Sequence, residues 1–204
     1  MAGVEQTVQP YAYPPNAHQR RHGPAGYADY KSYRPWLEDE FSFRCVYCLK
    51  RMVWAPTDIW AVDHLTPQHE APHLECDYDN LVFACQFCNL RKGPNRVPDP
   101  CQVAYGACLR VERDGTITAL NDSGRRLEKV LRLNHRCHVE GRREMIHLLS
   151  VLAEHDKAEF ERLMGFPTQL PDLEKTKPPH NRRPQGILES HFAKRQRGEL
   201  PAVY

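Results

Sequence analysis

Two short apolar runs stand out near the middle of the chain. The first begins at Ile59 and ends in Asp63 and His64, whereas the second covers 80–84 and leads into Cys85. The length and apolar content of these runs predict two strands, the second returning along the first, with a polar loop between them. A helix is expected to begin at Cys85. This segment therefore has the order strand, strand, helix.

A second patterned region follows at 109–120. Strand-forming residues flank Asp114-Gly115 on both sides, which predicts a β-hairpin with a type I′ turn. Farther on, apolar residues recur at helical spacing in two groups, which predicts two amphipathic helices packed on the hairpin. The groups are Leu127, Val130 and Leu131, and Met145, Ile146, Leu149 and Leu152. We expect residues 96–165 to form an accessory layer rather than another catalytic unit.

The two ends of the chain lack such patterns. Residues 1–34 hold prolines scattered among tyrosines and hardly any aliphatic residues, which predicts a flexible or partner-dependent segment. Its tyrosines could stack on bases, but packing on their own domain is favoured. Residues 166–204 contain further prolines, and from Lys175 onward seven basic residues stand against two acidic ones. This basic tail is expected to stay solvated and to add non-specific attraction to phosphates.

Composition narrows the class of protein without naming a function. A chain of 204 residues accommodates one domain with appendages, and its core is expected over 35–95, with the proline-rich stretch 94–100 marking its boundary. The hydrophobic share of 41% and the charged share of 26% are ordinary for a soluble globular protein. Because the formal net charge is only +2, any affinity for nucleic acid must come from the local distribution of charge.

The apolar runs are all shorter than the roughly 18 to 20 residues that a membrane span needs, so no membrane association is expected. The opening residues lack both the positive start and the apolar core of a secretory signal. These features predict a cytoplasmic protein. In that compartment the eight cysteines favour metal or redox chemistry over a disulfide framework.

Four of the cysteines form two Cys-x-x-Cys pairs, namely Cys45 with Cys48 and Cys85 with Cys88. The two-residue gap lets both sulfurs of a pair face one ion, and four thiolates complete a tetrahedral structural zinc site. Buried free thiols and a thioredoxin-like redox pair are the alternatives, but the latter needs a βαβ context and only one pair. The other four cysteines lack paired spacing and are interpreted as small buried hydrophobic residues.

The combination of Cys-x-x-Cys, Asp-His-x-x-Pro, Asn-Leu and Cys-x-x-Cys-Asn-x-x-Lys between Cys45 and Lys92 resembles the HNH endonuclease superfamily. The resemblance covers about a quarter of the chain and rests on five elements in a specific order, when the second Cys-x-x-Cys and the Asn-x-x-Lys that follows it are counted separately. It implies an α+β fold, with a small zinc-stapled, treble-clef-like ββα-metal core. The hairpin-plus-helices region and flexible termini would be added to that core.

The resemblance also implies a one-metal hydrolysis of DNA and a role for each matching residue. Asp63 and Asn89 resemble the ligands of the catalytic metal, His64 the general base, and Asn80 the residue that braces the loop and orients the histidine. The last histidine of the family's name is replaced by Asn89, and an amide oxygen suits Mg²⁺ or Mn²⁺ better than it suits zinc.

These residue types also fit the reaction on chemical grounds. A phosphodiester is anionic, so a cation must neutralise the charge that develops on the phosphate and the leaving oxygen. Asp63 and Asn89 supply oxygen ligands, and His64 can be neutral at cellular pH and accept a proton from water. Arg91 and Lys92 are candidates for binding substrate phosphates, although a solvated helix face explains them equally well.

We therefore predict a metal-dependent endonuclease that hydrolyses DNA with little sequence preference. The alternative is a catalytically silent zinc module that binds nucleic acid or a protein partner. A third hypothesis makes the chain the nuclease effector of a phage-defence or restriction assembly, docked on a protein partner through one of its ends, by analogy alone. The sequence does not distinguish DNA from RNA as the substrate.

Overall fold

The computed structural model describes residues 9–57 and 59–204, and its elements define an α+β fold. Within those residues the strands are β1 (Pro24–Ala25), β2 (Trp60–His64), β3 (Leu81–Cys85), β4 (Leu109–Val111), β5 (Ile117–Ala119) and β6 (His180–Asn181). The α-helices are α1 (Arg34–Glu40), α2 (Gln86–Lys92), α3 (Asp122–Leu131), α4 (Arg136–His155), α5 (Lys157–Met164) and α6 (His191–Gln196). The strands form three antiparallel pairs, β1 with β6, β2 with β3, and β4 with β5.

The predicted order strand, strand, helix is confirmed at the centre of the molecule. Strands β2 and β3 pair in a register that places Trp60 opposite Cys85 and His64 opposite Leu81. Strand β3 is buried along its whole length, and the rings of Trp60 and Phe83 stack with their centroids 5.1 Å apart. Helix α2 begins directly after β3 and packs on both strands. The end of β2 that carries the acid and the histidine is thereby fixed against the core.

Helix α1 also packs on β3 and was not anticipated from the sequence. It begins with a proline in its first turn and buries Trp36 and Leu37, because the apolar ring and side chain gain more from burial than from exposure. The chain leaves the helix through Ser42 and Phe43, which have φ of 52° and 55°. This left-handed turn directs the chain into the first Cys-x-x-Cys pair.

The accessory region contains the predicted hairpin and both predicted helices, α3 and α4. The turn is not type I′, because that turn needs two residues at positive φ and only Gly115, with φ of 84°, has it among the described turn residues. A further helix, α5, packs on α4 and was not predicted. The guanidinium of Arg142 on α4 donates to the carbonyls of Gly115 and Leu133 at 2.6 and 2.7 Å. These bonds attach α4 to the hairpin turn.

The N-terminal segment is packed on the core rather than flexible over its described part, residues 9–34. Tyr11, Tyr13 and Tyr33 are buried, so these rings pack on their own domain, as favoured. Aromatic rings supply the apolar surface here. The scarcity of aliphatic residues, which suggested flexibility, was therefore a misleading signal. Residues 1–8 of the predicted flexible segment lie outside the described residues.

The C-terminal segment over 166–204 likewise packs on the core instead of remaining solvated. Leu173 is buried, β6 pairs with β1, and His191 at the start of α6 donates its backbone N–H to Asp39 at 2.8 Å. Several of its basic side chains nevertheless remain exposed, namely Lys175, Lys177, Arg182 and Arg197. The basic surplus is therefore carried partly on the surface of an ordered segment.

Candidate active site and zinc centre

The four cysteines of the two Cys-x-x-Cys pairs come together in one cluster. The four sulfurs all lie within 4.8 Å of one another, and all four residues are buried. A tetrahedron with zinc–sulfur bonds of about 2.3 Å places neighbouring sulfurs about 3.8 Å apart, and the sulfurs of Cys48 and Cys85 are 3.7 Å apart. The donor set and its spacing therefore fit zinc.

Local backbone geometry explains why the sulfurs converge. The loop after Cys45 is closed by a bond from Leu49 N–H to Cys45 O at 2.9 Å, with Leu49 at a φ of 61°. Cys85 is the N-cap of α2, and Cys88 lies in its first turn. Burial raises the pKa of the Cys45 thiol, and hydrogen bonding within the cluster raises that of Cys88 while it lowers that of Cys85. Four thiolates in so small a space require a cation for stability.

The remaining cysteines are not uniformly buried as predicted. Cys108 is buried, Cys76 and Cys101 are half-buried, and Cys137 is exposed. The prediction of small buried hydrophobic residues is confirmed only for Cys108. None of the four joins the cluster of metal-binding type found among the described residues.

Asp63 lies at the end of β2 with both carboxylate oxygens engaged. Its Oδ2 accepts a hydrogen bond from the hydroxyl of Tyr47 at 2.6 Å, and its Oδ1 lies 3.2 Å from the ammonium of Lys92. Burial raises the pKa of the Asp63 carboxyl, while the charge of Lys92 opposes that shift. Burial also raises the pKa of the Tyr47 phenol well above its usual value, so the phenol keeps its proton and donates it.

Lys92 occupies a different environment from the one expected of a phosphate-binding side chain. Only 1% of its side chain is exposed. Its ammonium donates to the carbonyl of His64 at 2.6 Å as well as to Asp63. Lys92 therefore links the last turn of α2 to the end of β2. Arg91, in contrast, is exposed, and its guanidinium lies 5.0 Å from the centroid of the Phe87 ring.

The imidazole of His64 is held between two groups. Its Nε2 lies 2.9 Å from the carbonyl oxygen of Glu75, and the ring of Tyr30 meets it edge to face with centroids 4.7 Å apart. Tyr30 belongs to the N-terminal segment, in a short 3₁₀ helix at Tyr30–Tyr33. The ring orientation of His64 thus depends on one contact from a segment before it in the sequence and one from the loop after it.

Asn80 closes the loop that supplies the Glu75 carbonyl. Its amide oxygen accepts from Thr66 N–H at 2.8 Å, and its amide nitrogen donates to the carbonyls of Thr66 and Leu74 at 3.1 and 3.3 Å. All three bonds tie the loop ends together.

Asn89 lies half-buried on α2, one helical turn before Lys92. Residues three apart on a helix share a face, and Lys92 contacts the end of β2 that carries Asp63 and His64. Asn89 is therefore on the side of α2 that faces this end. Its side-chain amide has no hydrogen-bond partner among the described residues.

Sequence reasoning missed two residues of this site, Tyr47 and Tyr30. Tyr47 lies inside the first Cys-x-x-Cys pair, which was the one signal that could have drawn attention to it. Tyr30 carries no such signal, because its contact with His64 is made across a tertiary interface. Both are tyrosines among nine in the chain, so residue type alone does not single them out.

Residues 45–95, about a quarter of the chain, match the family model described as HNH endonuclease. The match includes both Cys-x-x-Cys pairs, both central strands and α2, and it confirms the resemblance for that segment. It indicates a nuclease-type function. Among curated proteins, none matches the chain. Within the described residues, every helix is too short or too polar to traverse a bilayer.

Proposed function

We propose that the chain is a metal-dependent endonuclease that hydrolyses phosphodiester bonds of DNA at Asp63, His64 and Asn89. The main observation in support is that Asp63 and His64 are consecutive residues at the end of β2, and that Lys92 fixes α2 against this end of the strand. In the proposal, the carboxylate of Asp63, the imidazole of His64 and the amide of Asn89 act together at this end of β2. A zinc module that only binds a partner has no need of this combination.

Asp63 and Asn89 are the residues that would hold Mg²⁺ or Mn²⁺. Each oxygen of Asp63 accepts one hydrogen bond or ion pair and retains a further lone pair. The amide of Asn89 has no partner among the described residues, so its oxygen is available. Carboxylate and amide oxygens are the ligands that hard divalent cations prefer. When bound, the cation neutralises charge that develops on the phosphate and the leaving oxygen.

His64 would act as the general base through Nδ1. A carbonyl oxygen can only accept, so the contact of Nε2 with Glu75 O at 2.9 Å requires that Nε2 carry the proton. The lone pair of the neutral ring is then on Nδ1, where it takes a proton from the attacking water. The Glu75 carbonyl stabilises the imidazolium that results. Asn80 is a positioning residue here, because it holds the loop that presents this carbonyl.

Substrate binding would rely on Arg91 and on the exposed basic side chains of the C-terminal segment. Arg91 is exposed on α2, but it lies two residues from Asn89 and therefore on a different face of the helix, so it would bind a phosphate away from the one that is cut. Lys92 serves instead as the buried counter-ion of Asp63. Contacts to phosphate alone carry no sequence information, which fits cleavage with little sequence preference.

The proposal predicts that His64→Ala abolishes cleavage while DNA binding, zinc content and melting temperature are retained. Loss of the general base is expected to reduce the rate by about 10² to 10⁴. The measurement is incubation of purified protein with supercoiled plasmid, single-stranded circle or RNA in Mg²⁺, Mn²⁺ or EDTA. His69→Ala is the matched control, because His69 is an exposed histidine in the neighbouring loop.

Four outcomes contradict the proposal. Undiminished cleavage by His64→Ala excludes His64 as the base, and cleavage of RNA alone excludes DNA as the substrate. Restoration of activity after EDTA by zinc, but not by Mg²⁺ or Mn²⁺, excludes the assignment of separate structural and catalytic metals. DNA binding by the wild-type protein without cleavage under any of these conditions favours the silent zinc module.

A further inference from the structure

We propose that Tyr47 is a positioning residue that couples the zinc centre to the catalytic carboxylate. Its phenol would transmit the geometry of the first Cys-x-x-Cys loop to Asp63 and set the direction in which Asp63 presents its metal-binding lone pair. The inference rests on the proposed function for the role of Asp63, and it goes beyond that function by assigning a task to a residue between two zinc ligands.

The contact between Tyr47 and Asp63 is short and fully enclosed. The phenolic oxygen lies 2.6 Å from Asp63 Oδ2, within the range of charge-assisted O–H···O⁻ hydrogen bonds. Tyr47 is 0% exposed and Asp63 5% exposed. Water therefore does not compete for the bond, and in such surroundings the loss of a hydrogen-bond partner is costly.

The backbone of Tyr47 is fixed from three directions. It stands between Cys45 and Cys48, so the zinc site constrains the backbone on both sides of it. The preceding residue, Val46, donates its N–H to Phe83 O on β3 at 3.0 Å. The carbonyl of Tyr47 accepts from the hydroxyl of Tyr13 at 2.8 Å. A phenol carried by so constrained a loop has little freedom to move away from Asp63.

Tyr47 and Lys92 together determine the rotation of the Asp63 carboxylate. Tyr47 engages Oδ2 and Lys92 engages Oδ1, so each oxygen has one partner and the plane of the carboxylate is fixed. Without the phenol, Lys92 alone would hold the group, and an ammonium imposes little directional preference. Metal ligands are commonly oriented by such partners, whose loss typically costs about 10- to 100-fold in metal affinity or activity.

The test compares Tyr47→Phe with Tyr78→Phe. Tyr78 is an equally buried tyrosine whose hydroxyl also donates to a buried carboxylate, that of Glu40, at 3.0 Å. Mn²⁺ binding is followed by electron paramagnetic resonance, and plasmid cleavage is measured across a Mn²⁺ titration. We expect Tyr47→Phe to keep its zinc and to raise the half-saturating Mn²⁺ concentration about 10-fold. Tyr78→Phe should keep the wild-type Mn²⁺ dependence.

Two results would overturn the inference. One is a Tyr47→Phe protein that retains zinc and has the wild-type Mn²⁺ dependence and cleavage rate. The other concerns the case in which Tyr47→Phe loses zinc. Tyr13→Phe is then measured instead, because it removes a hydrogen bond to the Tyr47 backbone without touching Asp63. A higher half-saturating Mn²⁺ concentration in Tyr13→Phe supports the coupling, and an unchanged value rejects it.

The failure of this inference is distinguishable from failure of the proposed function. Asp63→Asn is measured in parallel and should not show the Mn²⁺ binding that the wild-type protein shows. If wild type and Asp63→Asn bind Mn²⁺ equally, or if the wild type does not cleave, the role of Asp63 is wrong. If Asp63→Asn loses Mn²⁺ and Tyr47→Phe does not differ from Tyr78→Phe, only the role of Tyr47 is wrong.

Discussion

At the scale of single residues, the pairing of Lys92 with Asp63 shows how a charged group can be required inside the core. A carboxylate at the end of β2 is taken out of water when the core forms, and burial raises the pKa of the Asp63 carboxyl. The Lys92 ammonium, 3.2 Å away and 1% exposed, compensates the negative charge. A buried pair of this kind contributes little net stability, but removal of one partner leaves an uncompensated charge.

We predict that Lys92→Met lowers the free energy of unfolding by about 3 kcal/mol at neutral pH. The variant removes the charge that opposes the raised pKa of Asp63, so that pKa rises further. The stability deficit should therefore shrink as the pH falls and Asp63 becomes protonated. Urea unfolding at several pH values measures both effects.

The double variant Lys92→Met with Asp63→Asn tests the origin of the loss. It should recover part of the lost stability, because no buried charge remains. Arg91→Met is the control and should change the free energy of unfolding by less than about 0.5 kcal/mol, since Arg91 is exposed. Equal losses for Lys92→Met and Arg91→Met would contradict the role of the buried pair.

The sequence predicted that the four cysteines cluster and that Asp63 and His64 stand at the end of a strand. Both predictions rest on local signals, namely the Cys-x-x-Cys spacing and the end of an apolar run. The partners of these residues could not be predicted in the same way. Tyr47 reaches Asp63 across 16 positions, and Tyr30 reaches His64 from a segment with no regular pattern. Such contacts are decided by tertiary packing, which leaves no periodic trace in a single sequence.

At the scale of elements, the accessory hairpin meets α4 so closely that its turn tolerates no side chain. A Cβ on Gly115 would lie 2.3 Å from Val139 O and 2.7 Å from Arg143 N, and the residue has a φ of 84°. Gly141 lies on the same helix, where a Cβ would meet nothing within 4 Å. An added methyl group would therefore clash with α4 at Gly115 but would meet no neighbouring atom at Gly141.

We predict opposite effects for the two alanine substitutions. Gly115→Ala should destabilise the protein by about 2 kcal/mol, because the left-handed backbone and the contact with α4 both oppose a side chain. Gly141→Ala should stabilise it by about 0.5 to 1 kcal/mol through the higher helix propensity of alanine. Thermal unfolding of both variants checks the signs. If Gly141→Ala destabilised the protein, another part of the protein would have to contact α4 at this position.

The elements that were predicted are those with a strong local signal. Strands β2 and β3 are continuous apolar runs, and α3 and α4 repeat their apolar residues at helical spacing. Helix α1 was missed because its last residues, Asp39 and Glu40, are buried although acidic. A helix that buries carboxylates does not have the amphipathic pattern on which sequence reasoning depends.

At the scale of the whole molecule, these two carboxylates hold both terminal segments to the core. Glu40 accepts hydrogen bonds from His18 at 2.8 Å, from the backbone of Arg21 at 2.9 Å and from Tyr78 at 3.0 Å. Burial alone would raise the pKa of Glu40, but the hydrogen bond from His18, the nearby His22 and the backbone N–H of Arg21 outweigh it and lower the pKa from 4.5 to about 2. Over the described residues the two ends are packed on the core, and composition did not indicate this because such partners cannot be assigned from it.

We predict a loss of stability in acid that depends on Glu40. Its folded-state pKa lies below its unfolded-state value, so its contribution is complete above about pH 4.5 and is lost as the pH falls towards 2. Each pKa unit corresponds to about 1.4 kcal/mol, which gives roughly 3 kcal/mol over this window. Glu40→Gln should be less stable at neutral pH but lose less on acidification.

Glu38→Gln is the matched control on the same helix, because Glu38 pairs with the exposed Arg34. Its pH dependence of unfolding should follow that of the wild type. Chemical denaturation between pH 2 and pH 7 compares the three proteins. If Glu40→Gln and the wild type lose the same free energy between pH 4.5 and 2, the donors around Glu40 do not stabilise its ionised form.

The neighbouring carboxylate, Asp39, has a consequence for how the chain is made. It accepts hydrogen bonds from His22, 17 positions before it, and from His191, 152 positions after it. On the ribosome His22 is already present when Asp39 is made, whereas His191 follows only after the two central strands, α2 and the accessory helices have all been synthesised. Since domains fold as their segments become available, the hydrogen bonds of Asp39 are completed only after those elements exist.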